Sequence, residues 1–156
     1  DGQKVSKSRI ITSVDYSMVS MEAFEIYAAN HDIHVMDFVL KLDAYSYYMM
    51  NLLDYLIGNT DRHWGNWGFL VDNRTNQPVR LFDLMDLNQT FLAYDTPDGA
   101  NCMTTGNRKM SQREAAVEAV KKIGLNQRAE IKDEWFEGRE KEREMFWCRF
   151  GILKEQ

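Results

Sequence analysis

The stretch GNTDRHWGNWGFL, residues 58–70, lies between two parts of the chain that have different apolar patterns. Before it, AYSYYMMNLLDYLI (44–57) has the apolar spacing of an amphipathic helix, and Asp43 is a suitable N-cap for that helix. Gly58 and Asn59 follow the last apolar residue, where helices commonly end. After it, WGFLVD and PVRLFDL are two apolar runs separated by NRTNQ, which is typical of a β-hairpin. The chain is therefore predicted to pass from a helix through a polar loop into a hairpin.

The N-terminal part of the chain is predicted to be irregular first and helical afterwards. Residues 1–19 are mostly polar and show no sustained periodicity, so no element is predicted there. The segments MEAFEIYAANH (21–31) and DIHVMDFVLK (32–41) have the apolar spacing of two short helices. The candidate buried positions of the first helix are Met21, Phe24, Ile26 and Ala28.

The C-terminal part is predicted to contain an exposed loop and two helices. Residues 95–110 are rich in turn-forming residue types, which favours a loop at the surface. Ser111 and Glu114 have the spacing of a capping box, and Gly124 is placed to end the helix that follows. Residues 127–149 are predicted to form the last helix, with its apolar side made of Trp135, Phe136, Met145, Phe146 and Trp147. The expected fold is a single domain over the whole chain, mainly α with one small β-hairpin.

The composition argues against two classes of partner. The 156 residues carry a formal net charge of −5, so no basic surface for nucleic acid or for an anionic membrane is expected. No apolar run approaches the roughly 18 residues that a membrane-spanning helix needs. Cys102 and Cys148 are far apart and lack the spacing of metal ligands, which favours reduced thiols in a cytoplasmic protein.

Three oxygen-bearing side chains have the order that phosphoryl transfer requires. That reaction needs a carboxylate that orients the attacking hydroxyl, and oxygen ligands for the magnesium ion on the phosphates. In protein kinases the base Asp precedes a metal-binding Asn by five residues, and a second metal-binding Asp follows after a short hairpin. Asp61 and Asn66 have this spacing, and the hairpin of residues 67–82 leads to Asp83. The pattern predicts Asp61 as the base, and Asn66 and Asp83 as magnesium ligands.

The motifs NTDRHWGNWGF and LFDLMD closely resemble the C-terminal lobe of the HipA-like kinases. These are bacterial serine/threonine kinases known from toxin–antitoxin and mobile-element modules. The resemblance is strongest over residues 43–90, and it implies that Asp61 is the catalytic base and that Asn66 and Asp83 bind the Mg²⁺ held with ATP. It also implies a protein substrate. The same loop is similar to that of aminoglycoside and choline phosphotransferases, so a small-molecule substrate is an alternative.

The sequence departs from the kinase pattern in two ways. The DFG position reads Asp83-Leu84-Met85, without the glycine. The residues before 58 contain no glycine-rich loop and no lysine in a V-A-I-K-like context, both of which belong to the N-terminal lobe of a kinase. The chain also begins at Asp1 and not with Met, so we expect it to be a C-terminal lobe whose N-terminal lobe is a partner, and to bind ATP poorly alone. A non-catalytic, kinase-derived binding or regulatory module is the alternative.

The residues of this loop can also have purely structural roles. The three candidate site residues have the chemistry of ordinary turn and cap residues as well. His63 is expected to hold the loop by hydrogen bonding, although an imidazole titrates near neutral pH. Trp64 and Trp67 are expected to line the core beneath the loop, and stacking on a ligand is the alternative. Asp86 is expected to be a solvated turn residue, and a third carboxylate near the magnesium ion is the alternative.

Overall fold

The computed structural model describes residues 10–92, 96–105 and 109–156. In those residues, four α-helices and one turn of 3₁₀ helix accompany a three-stranded antiparallel sheet. The order is β1 (Tyr16–Ser20), α1 (Met21–Ala29), α2 (Val35–Ile57), β2 (Gly68–Asp72), β3 (Gln77–Leu81), α3 (Gln112–Ile123), the 3₁₀ turn (Asp133–Phe136) and α4 (Glu140–Lys154). Helices contribute more residues than strands, as expected for a mainly α fold with a small β part. Within the described residues, no helix combines the length and the apolar character needed to cross a membrane.

The sheet consists of the predicted hairpin and one strand that was not predicted. β2 and β3 pair antiparallel, with a register shift between Leu70 and Val71. β1 pairs antiparallel with β2, and Ser20 lies opposite Gly68. The expectation of irregular structure over residues 1–19 is therefore wrong for Tyr16–Ser20, while residues 1–9 lie outside the described part. A five-residue edge strand whose residues are mostly half-buried carries little periodic signal, which explains the error.

Gly68 allows the start of β2 to lie against the junction of β1 and α1. A Cβ atom built at this position would overlap the backbone oxygen of Val19 and would lie 2.8 Å from the backbone nitrogen of Met21. Both neighbours are backbone atoms, so neither can move aside without disturbing the pairing of the strands. Asn66, one of the predicted magnesium ligands, and Trp67 directly precede Gly68. The close contact at Gly68 therefore fixes the end of the loop that carries Asn66.

We expect Gly68→Ala to lower the free energy of unfolding by about 3 kcal/mol, because the added methyl group overpacks a backbone contact. Gly151 is the matched control, because it lies inside α4 and a Cβ built there meets no atom within 4 Å. Gly151→Ala is expected to raise the free energy of unfolding by about 0.5–1 kcal/mol, since alanine loses less backbone freedom in a helix. Urea denaturation measures both changes, and a shift of the same sign in both variants would contradict this account.

α2 changes its backbone conformation at Asp43, where φ is −155° and ψ is 63°. The Oδ1 atom of Asp43 accepts a hydrogen bond from the backbone N–H of Ser46 at 3.2 Å, which confirms the predicted N-cap of the second half of the helix. Its Oδ2 atom accepts a hydrogen bond from the backbone N–H of Leu81 at 3.0 Å. This carboxylate therefore ties α2 to the end of β3. The helix ends at Gly58 as predicted, in the left-handed conformation with φ of 61°.

The core contains side chains from α1, α2, α3 and α4, from β2 and β3, and from the 3₁₀ turn. In α1, Met21, Phe24 and Ala28 are buried as predicted, but Ile26 is 67% exposed and that part of the prediction is wrong. The helical geometry explains the difference. Positions 21, 24 and 28 share one face of a helix, whereas residue 26 is two residues after Phe24 and points to the opposite side.

The last helix is shorter at its start and longer at its end than the predicted range 127–149. The chain first forms the 3₁₀ turn, and α4 spans Glu140–Lys154. Gly138 lies between them with φ of +71°, a backbone conformation that ends helical structure. Phe136 and Phe146 are buried as expected, but Trp135 is 60% exposed and does not belong to the apolar side.

The segment predicted as an exposed loop, residues 95–110, is partly buried. Cys102 and Thr104 are both buried, and Asn51 of α2 accepts hydrogen bonds from both side chains. Next to them, burial raises the pKa of Tyr47 to about 12. Turn-forming residue types correctly predicted an irregular backbone. The contact of this segment with Asn51 of α2 could not be predicted from the sequence. Residues 95 and 106–108 of this segment lie outside the described part.

The capping box at the start of α3 is confirmed. The Ser111 side chain accepts a hydrogen bond from the backbone N–H of Glu114, and the Glu114 side chain accepts one from the backbone N–H of Ser111. Gly124 follows the last residue of the helix, as predicted. Cys102 and Cys148 are free thiols, one buried and one exposed.

Candidate active site

A buried ion pair organises the loop between α2 and β2. Arg62 donates from Nε to Oδ2 of Asp54 at 2.9 Å and from Nη2 to Oδ1 at 3.1 Å, and both side chains are at most 5% exposed. Asp54 also accepts a hydrogen bond from Nδ2 of Asn59 at 2.9 Å. Because Asp54 lies in the last turn of α2, its carboxylate fixes the loop directly where the helix ends.

The same arginine connects the two halves of the predicted site. Its Nη1 atom donates to the backbone oxygen of Asn66 at 2.9 Å and to that of Met85 at 2.7 Å. Asn66 belongs to the loop, whereas Met85 lies two residues beyond Asp83. Arg62 therefore holds the predicted metal-binding Asn and the segment with the predicted metal-binding Asp in one arrangement.

Arg62 and Asp54 were not among the residues predicted for the site. One signal was present in the sequence, because Asp54 lies in the last turn of a helix, where the helix dipole disfavours a negative charge. A buried cation close by would offset that cost. The partner at residue 62 could be identified only after the loop was known to fold back onto α2.

Asp61 and Asn66 lie together, as their spacing predicted. The side-chain Nδ2 of Asn66 donates to the backbone oxygen of Asp61 at 2.7 Å and lies 3.5 Å from its Oδ2 atom. Asn66 is 8% exposed, whereas the Asp61 side chain is 41% exposed. Since the amide nitrogen of Asn66 is directed at Asp61, the amide oxygen is the atom left to bind a cation.

Asp83 shares a cavity with Asn66. It follows β3 by two residues, its side chain is 43% exposed, and its Oδ1 atom accepts a hydrogen bond from Nη1 of Arg80 at 2.8 Å. The cavity has a volume of about 160 Å³ and lies between the second half of α2 and the ends of β2 and β3. Asp61 is outside its lining and is connected to it through Asn66.

The donor set of this cavity fits a magnesium ion shared with a phosphorylated ligand. Mg²⁺ takes hard oxygen ligands, and it is commonly held by one or two protein carboxylates together with substrate phosphates and water. Asn66 and Asp83 supply one amide oxygen and one carboxylate. Among the described residues, no group of three or more His, Cys, Asp or Glu side chains is placed to hold a metal ion by itself. The residues therefore fit a metal ion that arrives with phosphate groups better than a protein-only metal centre.

His63 holds the loop in the way that was expected. Its Nδ1 atom accepts a hydrogen bond from the backbone N–H of Gly65 at 3.0 Å, which places the ring proton on Nε2. That atom lies 3.8 Å from Oδ1 of Asp61. The ring therefore presents an N–H group toward the predicted base.

The two tryptophans of the loop differ in their burial. Trp67 is buried in the core, as expected. Trp64 is only partly buried, and its indole N–H donates to the backbone oxygen of Met103 at 2.9 Å. Asp86 is half-buried and has φ of +54°, as a turn residue can.

A second, wider cavity of about 410 Å³ adjoins the other side of the loop. His63, Trp64 and Gly65 form one wall, and Glu22 and Glu25 of α1 form another. α1 is fixed to the loop here, because the backbone N–H of Glu22 donates to the backbone oxygen of Trp64 at 3.1 Å. The loop therefore lines two cavities, one through Asn66, a predicted metal ligand, and one through His63, Trp64 and Gly65.

Comparisons with known proteins identified no relative of this chain. No family model, no curated protein and no solved structure matches the chain. The function of the site is therefore inferred from its own residues and geometry.

Proposed function

We propose that this chain is the C-terminal lobe of a HipA-like kinase, which transfers the γ-phosphate of ATP to a serine or threonine hydroxyl. The observation that carries the proposal is the hydrogen bond from Asn66 to Asp61, together with the cavity that Asn66 shares with Asp83. The bond is accepted by the backbone oxygen of Asp61, and the Oδ2 atom of the half-exposed Asp61 carboxylate lies 3.5 Å from the same Nδ2 atom. The proposed base therefore lies next to Asn66, one of the two oxygen ligands that fit magnesium. Phosphoryl transfer needs these groups from the C-terminal lobe of a kinase.

In this mechanism Asp61 orients the attacking hydroxyl and takes its proton. The hydroxyl oxygen forms a bond to the γ-phosphorus, the bond from that phosphorus to the β,γ-bridging oxygen breaks, and ADP leaves with the bonding electrons. Asn66 and Asp83 would hold the magnesium ion, which would neutralise the charge that develops on the phosphates. The Nε2 atom of His63 lies 3.8 Å from Oδ1 of Asp61, so the ring borders the base.

The remaining parts of the active site are assigned to a partner lobe. A phosphate-covering loop and a phosphate-binding lysine would come from it, in keeping with the expectation that this chain alone binds ATP poorly. The acceptor hydroxyl would approach through the wider cavity beside His63 and Trp64, because this cavity adjoins the loop that carries Asp61. A small-molecule phosphotransferase would use the same base and the same metal ligands.

One observation favours the alternative of a non-catalytic module. Arg80 is paired with Asp83, so a protein cation lies where a metal ligand is proposed. A module without turnover would keep this ion pair permanently. A direct test of metal binding separates the two functions.

We expect Mn²⁺, used as a paramagnetic probe in place of Mg²⁺, to broaden the NMR signals of residues around the Asn66–Asp83 cavity. Asp83→Asn removes the carboxylate charge at nearly constant shape, and at least about fivefold more Mn²⁺ is expected to be needed for the same broadening, since the site then loses its only anionic ligand. Asp86→Asn is the matched control, because residue 86 is a nearby carboxylate outside the lining of the cavity. Equal losses in the two variants would contradict the assignment to Asp83, and so would broadening centred elsewhere.

A further inference from the structure

Arg80 lines the same cavity as the two proposed metal ligands. It lies at the penultimate position of β3, and its side chain is about half exposed. The Nη1 atom donates both to Oδ1 of Asp83 at 2.8 Å and to the backbone oxygen of Leu81 at 2.7 Å. Among the described residues that line the cavity, Arg80 is the basic one.

Breaking the ion pair between Arg80 and Asp83 costs little free energy. Exposed pairs of this kind contribute about 0–1 kcal/mol, because water screens the charges and two flexible side chains must be held. A divalent cation attracts the Asp83 carboxylate more strongly than a guanidinium does. A metal ion on Asp83 would therefore displace Arg80 from the carboxylate, and the guanidinium would keep its hydrogen bond to the backbone oxygen of Leu81 at the edge of the cavity.

The displaced guanidinium is suited to bind a phosphate group. A guanidinium presents a planar fork of N–H donors that matches the oxygens of a phosphate group, and such charge-assisted pairs are among the stronger hydrogen bonds in proteins. The metal ion on Asp83 would itself carry phosphate groups, which brings anionic oxygens next to the released side chain.

We propose that Arg80 is a phosphate-binding residue for a nucleoside triphosphate, and that it rests on Asp83 until a divalent cation replaces it there. The inference rests on the proposed function, because it takes Asp83 as a metal ligand. It assigns two opposite effects to one side chain. Arg80 competes with the metal ion when no nucleotide is present, and it adds to the affinity for the phosphates when the metal ion is bound.

Substituting Arg80 by Gln tests both effects in the same chain. Arg80→Gln is expected to raise the affinity for Mn²⁺ alone about threefold to tenfold, measured by paramagnetic broadening, because the competing cation is lost. The same substitution is expected to lower the affinity for ATP at saturating Mg²⁺ by at least about fivefold, because a charge-assisted hydrogen bond is lost. An NMR titration is used because it detects the weak ATP binding that is expected of this chain alone. Arg80→Lys keeps one positive charge and is expected to recover part of the ATP affinity.

The matched control is Arg74→Gln, which removes an exposed arginine from the turn of the same hairpin and breaks its ion pair with Asp72. It is expected to leave both affinities unchanged. Unchanged Mn²⁺ affinity in Arg80→Gln, with Mn²⁺ binding still weakened in Asp83→Asn, would overturn the role of Arg80 and keep the metal site. Tighter ATP binding in Arg80→Gln would overturn the phosphate role. A wild-type chain in which Mn²⁺ broadens no signal near the cavity would overturn the proposed function as well.

Discussion

Arg62→Ala is expected to lower the free energy of unfolding by about 3–5 kcal/mol, which is the cost of leaving one partner of a buried ion pair uncompensated. Arg62 makes four hydrogen bonds, two to the carboxylate of Asp54 and two to the backbone oxygens of Asn66 and Met85. All four are lost in the variant, and the Asp54 charge stays buried. Because domains are stable by only about 5–15 kcal/mol, the loss would leave the fold marginal. Urea denaturation followed by circular dichroism measures the change.

Three further variants sharpen this prediction. Arg62→Lys keeps a charge but cannot reproduce the forked contact with Asp54, so an intermediate loss of about 2 kcal/mol is expected. The double variant Asp54→Leu with Arg62→Met removes both charges, and it is expected to be more stable than Arg62→Ala because no unpaired charge remains. Arg74→Ala, at an exposed ion pair, is expected to change stability by less than about 0.5 kcal/mol. A loss below about 1 kcal/mol in Arg62→Ala would show that the loop is held by other contacts.

The parts of the fold that could be predicted from sequence are those with local causes. Asp43 caps the second half of α2, Gly58 ends the helix in the left-handed conformation, and Ser111 with Glu114 forms the capping box of α3. Each of these depends on residues within four positions of one another. The hairpin was found for the same reason, because its two arms are close in sequence.

The parts that were missed depend on partners far along the chain. β1 is a strand only because β2, some fifty residues later, pairs with it. Thr104 is buried, and its hydroxyl donates a hydrogen bond to Oδ1 of Asn51 in α2, which lies 53 residues earlier in the chain. Ile26 was wrongly predicted to be buried for a different reason. It is apolar, but its position lies on the side of the helix opposite to Phe24. Hydrophobicity alone does not determine which side of a short helix is buried.

The candidate site divides in the same way. Asp61 and Asn66 are five residues apart in one loop, and the spacing sufficed to predict that they lie together. Asp83 was reached by following the hairpin, and it does share a cavity with Asn66. The ion pair of Arg62 with Asp54 was missed, because the loop had first to fold back onto the helix. Sequence therefore predicted the residues proposed to act on a ligand more completely than the residues that hold them.

Asp61→Asn is expected to reduce the transfer of phosphate from ATP by about 10²–10⁴-fold, which is the usual contribution of a positioned general base. Asparagine keeps the shape of the side chain but cannot accept the proton of the attacking hydroxyl. The backbone oxygen of Asp61, which accepts the hydrogen bond from Asn66, is unchanged by the substitution. The measurement is the release of ADP and the incorporation of labelled phosphate into protein, with this chain combined with the partner lobe proposed for it.

Two controls separate a chemical effect from a structural one in the Asp61 variant. The Asp61 side chain is 41% exposed, and its contact with His63 is 3.8 Å long, so the free energy of unfolding is expected to change by less than about 0.5 kcal/mol. Mn²⁺ binding at Asn66 and Asp83 is expected to persist, because Asp61 does not line that cavity. Loss of transfer with stability and metal binding retained identifies Asp61 as the base. Wild-type transfer in Asp61→Asn would remove it from the mechanism, and the phosphotransfer proposal would then lose the observation that carries it.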